Sequence, residues 1–459
     1  MTRKYSRLLT LAAWLVGAWT VLGFAVFGCA EDSYVTNFRS CLAGTGSSCT
    51  FGASGTHTVC TVLDINNSNL ATIAGYDSNP SDTVLRRGDG SLASIMKWTS
   101  AAQGLYVEYL TFDGNRWGFG SAPTSSQYST APNISCLEQT DTYTDLDLNG
   151  ATIATVWYVN FINAPEQSLV LGGSTYTTTS ASTVSYSNFG SSSDSTKANR
   201  TTAMSVKGYY SGAYYNNVYY AGTAGINLNN GTHQTAYGNY LYMNRYEMSD
   251  GSAGAAFYVD FSASAASVAS NTVDQNFWFT CTSGCNNKAT TSTVNGCPAP
   301  ASEPQFPGTM EVYGHDNYFY NNELRNSTND AMGIGDGSTY NIYISGTNPF
   351  TSTDPAKYIH DIYWNSINFK AAGTSGVSGV TLDQVRVCNT GYSSAPSTPY
   401  YYGAPFGGIG VNFDYTSGTG FTNGATMSGN ISANVAVGTG SSLTTSTPSP
   451  VTSCPSPIP

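Results

Sequence analysis

Residues 203–241 read AMSVKGYYSGAYYNNVYYAGTAGINLNNGTHQTAYGNYL. Two short segments within them, Ala203-Met-Ser-Val-Lys207 and Ala224-Gly-Ile-Asn-Leu-Asn229, each carry two apolar residues two positions apart, which is strand periodicity. Two asparagine-bearing turns alternate with them, Asn217-Val-Tyr and Asn239-Tyr-Leu, 22 residues apart. The same signals recur along the chain. Asparagine segments begin at Asn160, Asn188, Asn217, Asn239, Asn271, Asn322 and Asn365, most of them 22 to 32 residues after the previous one. The two wider gaps, 51 and 43 residues, hold insertions. A unit of this length stacks on its neighbours to bury its apolar side, so the period implies a solenoid built one coil at a time. Asparagine suits such a coil, because it tolerates a left-handed bend between strands and its amide can bond to the equivalent amide one coil away.

Composition points the same way. Of the 459 residues only 10% are charged, well below the roughly 25% of an ordinary soluble domain. Glycine (48) and tyrosine (33) are abundant. Long amphipathic helices need charged faces, and no stretch after residue 30 supplies them. Strands of Tyr, Val, Ile and Thr broken by Gly, Asn and Ser are the better reading. Aromatic residues at 13% and regular alternation argue against disorder except at the tail. A net charge of −11 excludes nucleic acid as a partner, since phosphate binding needs clusters of Lys and Arg.

The coil pattern assigns faces. Met204/Val206, Ile226/Leu228, Phe257/Val259, Met310/Val312, Met332/Ile334, Val380/Leu382 and Ile409/Val411 are expected to point inward and stack as the core. One outward column then reads Ser205, Asn227, Tyr258, Glu311, Gly333, Thr381, Gly410, and the next reads Lys207, Asn229, Asp260, Tyr313, Gly335, Asp383, Asn412. A one-residue slip in register would exchange inside and outside.

The run Leu105-Tyr-Val-Glu-Tyr-Leu-Thr-Phe-Asp-Gly-Asn-Arg116, and Phe112-Asp-Gly-Asn-Arg116 in particular, resembles an early coil of the right-handed parallel β-helix proteins of the pectate-lyase-like superfamily. The asparagine turns resemble that superfamily's asparagine ladders. The resemblance covers most of residues 83–437 and implies an all-β, single-stranded right-handed parallel β-helix of ten to twelve coils. It is specific for fold and not for activity, because the superfamily includes lyases, hydrolases, epimerases, tailspikes and non-catalytic adhesins.

Strands on neighbouring coils lie ~4.8 Å apart, so Asp260 and Glu311 are the best carboxylate pair the pattern offers. Paired carboxylates divide acid and base work in glycoside hydrolysis. His315 and Asp316 follow Glu311 and extend the catalytic candidates. Tyr258 and Tyr313 supply rings for stacking on sugars; Lys207, Asn229 and Asp383 complete the substrate-binding candidates. No paired Asp-Asp, no Gly-His-Gly and no Arg-x-Pro-x-x-Arg run is present, so a hydrolase ranks above a lyase and neither family signature is complete. No cofactor is implied. Calcium at acidic turns such as Gly335-Asp-Gly is the one metal left open, without an identified ligand set. Two functional classes therefore stand: a carbohydrate-active protein that acts on or grips a polysaccharide or other glycan along one sheet face, and a non-catalytic surface or adhesive protein. Converging acids in a cleft mark the first, a flat polar and aromatic face the second.

Residues 1–30 read as an export leader, with basic Thr2–Arg7, apolar Leu8–Phe27 and small residues at Gly28-Cys-Ala30. Cleavage after Ala30 releases a soluble protein; alternatively Val26-Phe-Gly-Cys29 resembles a lipobox that attaches the chain to a membrane through a lipid on Cys29. A retained anchor is the third route. Nine cysteines follow residue 30, an odd number that leaves one without an internal partner. In an exported chain they are expected to form disulfides; Cys281, Cys285 and Cys297 pin a loop rather than hold zinc. Residues 31–82 are expected to form a Cys-containing cap, 83–437 the helix and 438–459 a Ser/Thr/Pro-rich tail. Insertions at about 280–308, 340–358 and 389–405 are expected to wall a groove.

Overall fold

The computed structural model describes residues 29–99, 104–115, 143–173, 181–194, 201–222, 224–242, 255–274, 309–327, 330–335, 339–346, 359–362, 365–369, 376–390, 409–413, 416–428, 433–438 and 441–443, with isolated positions at 197, 199, 293–294 and 297–298. The chain winds as a three-sided right-handed parallel β-helix, the hand that parallel crossovers adopt. Among the described residues sheet I has 12 parallel strands, from Leu63–Ile65 to Ala433–Val437. Sheets II and III together form a 22-stranded array, because Thr381–Thr390 and Gly420–Ser428 run unbroken through both. In the coil that starts at Ile226–Leu228 on sheet I, Thr235–Tyr237 lies on sheet II and Tyr240–Tyr242 on sheet III.

Parallel pairing begins earlier than expected. Ser48–Thr50 already pairs with Thr72–Ala74, and Gly55–Val59 with Thr83–Arg87, so the lead-in contains coils of its own. What caps the stack is the helix Ser33–Leu42. It buries Val35, Phe38 and Leu42 against the first coil, and the Asp32 side chain accepts from the Val35 N–H as its N-cap. Disulfides Cys29–Cys60 and Cys41–Cys49 fasten this cap. Cys388 is disulfide-bonded as well; Cys136, Cys281, Cys285 and Cys454 lie outside the described residues.

The expected inward pairs are buried from Met204/Val206 to Met332/Ile334. Inside sheet III, Phe112, Phe161 and Phe189 stack with centroids 5.4 and 4.7 Å apart. A buried ion pair joins sheet III to sheet I: Arg87 and Asp145 are both fully buried and 3.1 Å apart. Burial pushes the Asp145 carboxyl up to about 7, against the pull of Arg87.

The asparagines separate into two ladders rather than one, with Asn365 outside both. At the corner between sheets II and III a buried ladder runs Asn216, Asn239, Asn271, Asn322, each side-chain N–H donating to the next Oδ1 at 2.9–3.0 Å. Its member in the third asparagine segment is Asn216, not Asn217. Asn160, Asn188 and Asn217 form a second, half-buried ladder on the outer face of sheet III, with amide bonds of 2.9 and 3.0 Å. Asn365 belongs to neither; its N–H donates to Asp330 at the entrance to sheet I. The left-handed residue at the II–III corner is asparagine at Asn321 (φ 47°), but on the earlier coils it is Tyr109, Tyr158, Tyr186 and Tyr215, all at φ 50–55°. A left-handed non-glycine residue costs about 1–2 kcal/mol. The rings offset this by stacking: Tyr158–Tyr186 and Tyr186–Tyr215 centroids are 5.5 and 5.3 Å apart with planes 13° from parallel. The next position is Gly238, where a Cβ would meet the Tyr215 ring at 2.7 Å.

Candidate functional site

Sheet I presents an outer column whose register is fixed by backbone pairing: Ser205, Asn227, Tyr258, Glu311, Gly333, Asn368, Asn412. Through Gly333 this is the expected order. Beyond it the chain departs from the expectation, because Ile367–Phe369 continues sheet I while Thr381–Asp383 starts on sheet II. Asp383 therefore lies on a different face from the other candidates. There it accepts from the Tyr343 hydroxyl at 2.5 Å and the Thr422 hydroxyl at 3.2 Å. Burial, then this bond to Asp383, pushes the Tyr343 phenol up to about 12.

Lys207, Asn229, Asp260, Tyr313 and Gly335 follow the sheet I strands on successive coils, each N–H donating to a carbonyl of the coil before. Rings gather here. Tyr313 packs on Phe261 with centroids 4.1 Å apart and on Tyr258 at 5.6 Å, with planes tilted by 38° and 52°. Phe261 is 45% exposed, and the sequence reading missed it. It directly follows Asp260 in the turn leaving sheet I, where periodicity assigns no face. Gly335 leaves room for the Tyr313 ring, which a Cβ there would meet at 2.0 Å.

The two acids of this face occupy different environments. Glu311 is wholly buried although it belongs to the outer column. Its carboxylate lies over Gly333, where a Cβ would come within 2.5 Å of Oε1. Asp260 is half-buried and shapes its own turn, accepting from the Ser262 N–H at 2.9 Å and hydroxyl at 2.6 Å. Polar groups continue toward the N-terminal side. Asn229 donates to the Ser205 hydroxyl at 3.0 Å. The side-chain oxygens of Asn227 and Asn229 are both buried and find no hydrogen-bond partner among the described residues.

His315 and Asp316 lie around the corner toward sheet II. Asp316 is in the left-handed turn at φ 57°. His315 Nδ1 is 2.7 Å from the Asp316 carboxylate, and the ring stacks on Tyr340 at 4.8 Å. The His315 hydrogen bond, with a second from the Asn341 amide, holds the Asp316 carboxyl below its usual range. Among the described residues no group of three or more His, Cys, Asp or Glu side chains is placed to hold a metal ion. Glu311 lies in a sheet I strand and Asp260 just after one, His315 and Asp316 in the turn that follows; the calcium-turn residue Asp336 lies outside the described residues.

A second charged cluster lies on sheet III. Arg325 bridges Asp274 at 2.9 Å and Glu323 at 3.0 Å, with Tyr240 beside it. The one guanidinium is shared between two carboxylates, so Arg325 is engaged within the cluster. The insertions are also distributed: 275–308 and 391–408 connect sheet III to sheet I, whereas 347–358 connects sheet II to sheet III. They leave from two corners, not one.

Fold and register define a right-handed parallel β-helix protein with an aromatic patch on sheet I. No family model matches the chain, and no curated protein matches it. Solved structures do. The catalytic unit of a thermostable GH87 α-1,3-glucanase from Streptomyces thermodiastaticus strain HF3-3 matches at 13% identity over 93% of this chain and 68% of that one, with TM-score 0.49. A PL6 alginate lyase in complex with a trisaccharide matches at 10% identity over 89% and 86%, TM-score 0.42. The A-module of the Azotobacter vinelandii mannuronan C-5 epimerase AlgE6 matches at 12% identity over 86% and 96%, TM-score 0.40.

Proposed function

We propose that this protein is an exported polysaccharide-binding β-helix protein that holds its ligand along sheet I. Tyr258, Phe261 and Tyr313 form the stacking platform; Lys207, Asn227 and Asn229 hydrogen-bond to ligand hydroxyl groups. The observation that carries the proposal is the tilt of the three rings. Rings that do not lie parallel leave faces open to an apolar sugar face. The two buried amide oxygens add to it, since an acceptor without a donor costs about 1–3 kcal/mol until something satisfies it. Disulfides in the cap support an oxidising, extracytoplasmic location. Among the described residues no helix is long and apolar enough to cross a membrane.

Cleavage is the second reading, and Glu311 favours it. A carboxyl withdrawn from water beside an aromatic patch, one coil from a second acid, is the arrangement that separates acid from base in glycoside hydrolysis. Hydrolysis ranks above elimination here, because Arg325 is already paired and, among the described residues, Lys207 is the one cation expected near the Asp260 coil; Arg245, also expected there, lies outside them. The test is a depolymerisation and binding screen across polysaccharides, run beside Asp260→Asn/Glu311→Gln. Binding by both proteins without product identifies a binding module. Product from the wild type alone assigns an enzyme centred on the two acids, and product from both moves the centre elsewhere.

A further inference from the structure

We infer that the leader is removed at the Gly28–Cys29 bond, so that the mature chain begins with Cys29 and closes that cysteine into a disulfide instead of carrying a lipid on it. The cap makes Cys29 a structural residue. It is bonded to Cys60, and its sulfur occupies a space kept open by Gly88 on the second coil, where a Cβ would come within 2.3 Å of Sγ. No side chain fits at Gly88 while that sulfur is in place.

The residues after it are held just as firmly. The Glu31 carboxylate accepts from Arg39 at 2.5 Å and from the Cys60 and Thr61 N–H groups at 2.7 and 3.1 Å. Burial alone would raise the Glu31 carboxyl; Arg39 and the two amides outweigh it and hold the group below its usual range. Asp32 caps the helix through the Val35 N–H and lies 2.6 Å from His57 Nδ1. Residues 29 to 32 are thus continuous with the fold.

Cleavage after Ala30 would discard one half of the Cys29–Cys60 bridge and strand the Cys60 thiol in the cap. Lipidation would consume the same Cys29 sulfur as a thioether. Both routes conflict with the bridge. The bond just before Cys29 has Gly28 on its leaving side and Val26 two positions further back, the small-residue pattern a leader endopeptidase reads. Cysteine arithmetic agrees: the chain has 10 cysteines, an even set only if Cys29 is kept. Two steps are implied. Water hydrolyses the Gly28–Cys29 amide, and a disulfide-bearing oxidant accepts two electrons and two protons from the Cys29 and Cys60 thiols.

The experiment is to express the chain from Met1 with its own leader, purify it without reductant, and measure intact mass, N-terminal sequence and iodoacetamide labelling of Cys60. The expected result is a single N-terminus at Cys29, no added lipid mass, and a Cys60 that labels only after reduction. An N-terminus at Glu31 with Cys60 labelled, any other N-terminus, or a diacylglyceryl-sized mass on Cys29 would overturn the inference. Cys29→Ser provides the control: cleavage should persist while Cys60 becomes labelled without reductant. If Cys60 stays protected in that variant, the Cys29–Cys60 pairing is wrong.

Discussion

Two regions of this molecule stack aromatic rings on successive coils, and they do it differently. At the II–III corner Tyr158, Tyr186 and Tyr215 lie 13° from parallel, so each ring face is covered by the next. On sheet I, Tyr258, Tyr313 and Phe261 are tilted by 38–52° and cover one another incompletely. The amides repeat the contrast. Asn216, Asn239, Asn271 and Asn322 satisfy each other along the corner, while the side-chain oxygens of Asn227 and Asn229 on sheet I find no partner among the described residues. A residue repeated in register completes its own interactions and supports the stack. Where the repeat breaks, at Asn227, Tyr258, Glu311, Gly333, side chains are left facing something other than their own copies.

That contrast can be broken in both directions. The largest effect is expected at Asn271→Ala. It removes donors to the Ala236 carbonyl and Asn322, and the acceptor for Asn239. Buried groups left unpaired cost about 1–3 kcal/mol each, so a loss on the order of 3 kcal/mol should appear in denaturant unfolding, with glycan affinity of the folded fraction unchanged. Next is Tyr258→Ala/Tyr313→Ala. Loss of two ring contacts of about 0.5–1.5 kcal/mol each should weaken polysaccharide binding about tenfold, read by affinity electrophoresis, with little change in Tm. Loss of Tm without loss of binding would reverse the roles assigned to the two regions. Tyr186→Ala should do the opposite at smaller scale. It removes two stacked contacts but also relieves little of the left-handed strain, and a Tm drop equivalent to about 1 kcal/mol with intact binding is expected.

A further effect is one of pH and removes no side-chain contact in the wild type. Asp145 has a folded value of about 7 against an ordinary 3.8, so the folded state binds its proton more tightly than the unfolded chain. The resulting stabilisation is complete below about pH 4 and is lost as pH rises through about 7. Thermal unfolding from pH 4 to 8 should show this slope in the wild type and a flatter profile in Asp145→Asn. An equal slope in both would assign the titration to another group.

Much of sheet I was legible because strand alternation reports inside and outside directly. Met310 and Val312 follow from it, as do Met332 and Ile334; Glu311 and Gly333 keep their place in the outer column but are buried there. The failures have physical causes. Val380 and Leu382 alternate as a sheet I strand would, yet belong to sheet II, because all three sheets use the same period and Thr381–Thr390 passes a corner without a turn signal. The asparagine repeat was read as one ladder because adjacent residues such as Asn216 and Asn217 serve different ladders. Tyrosine at the left-handed corner could not be foreseen from local propensity; only the ring on the neighbouring coil makes it tolerable. Phe261 was missed since a turn residue has no periodicity, and the separation of His315 from Glu311 depends on a corner that the alternation does not mark.

The disulfide-fastened helix closes one end of the stack, while the last strand, Ala433–Val437, is only half-buried, with Val437 49% exposed. In a one-dimensional array each coil is held by its neighbours, so loss of order spreads from whichever end is weaker. Amide hydrogen exchange should therefore follow a gradient along the axis, fastest near residue 435 and slowest beside the cysteines. The molecule has a direction of unzipping, and it runs from the C-terminal coils toward the cap.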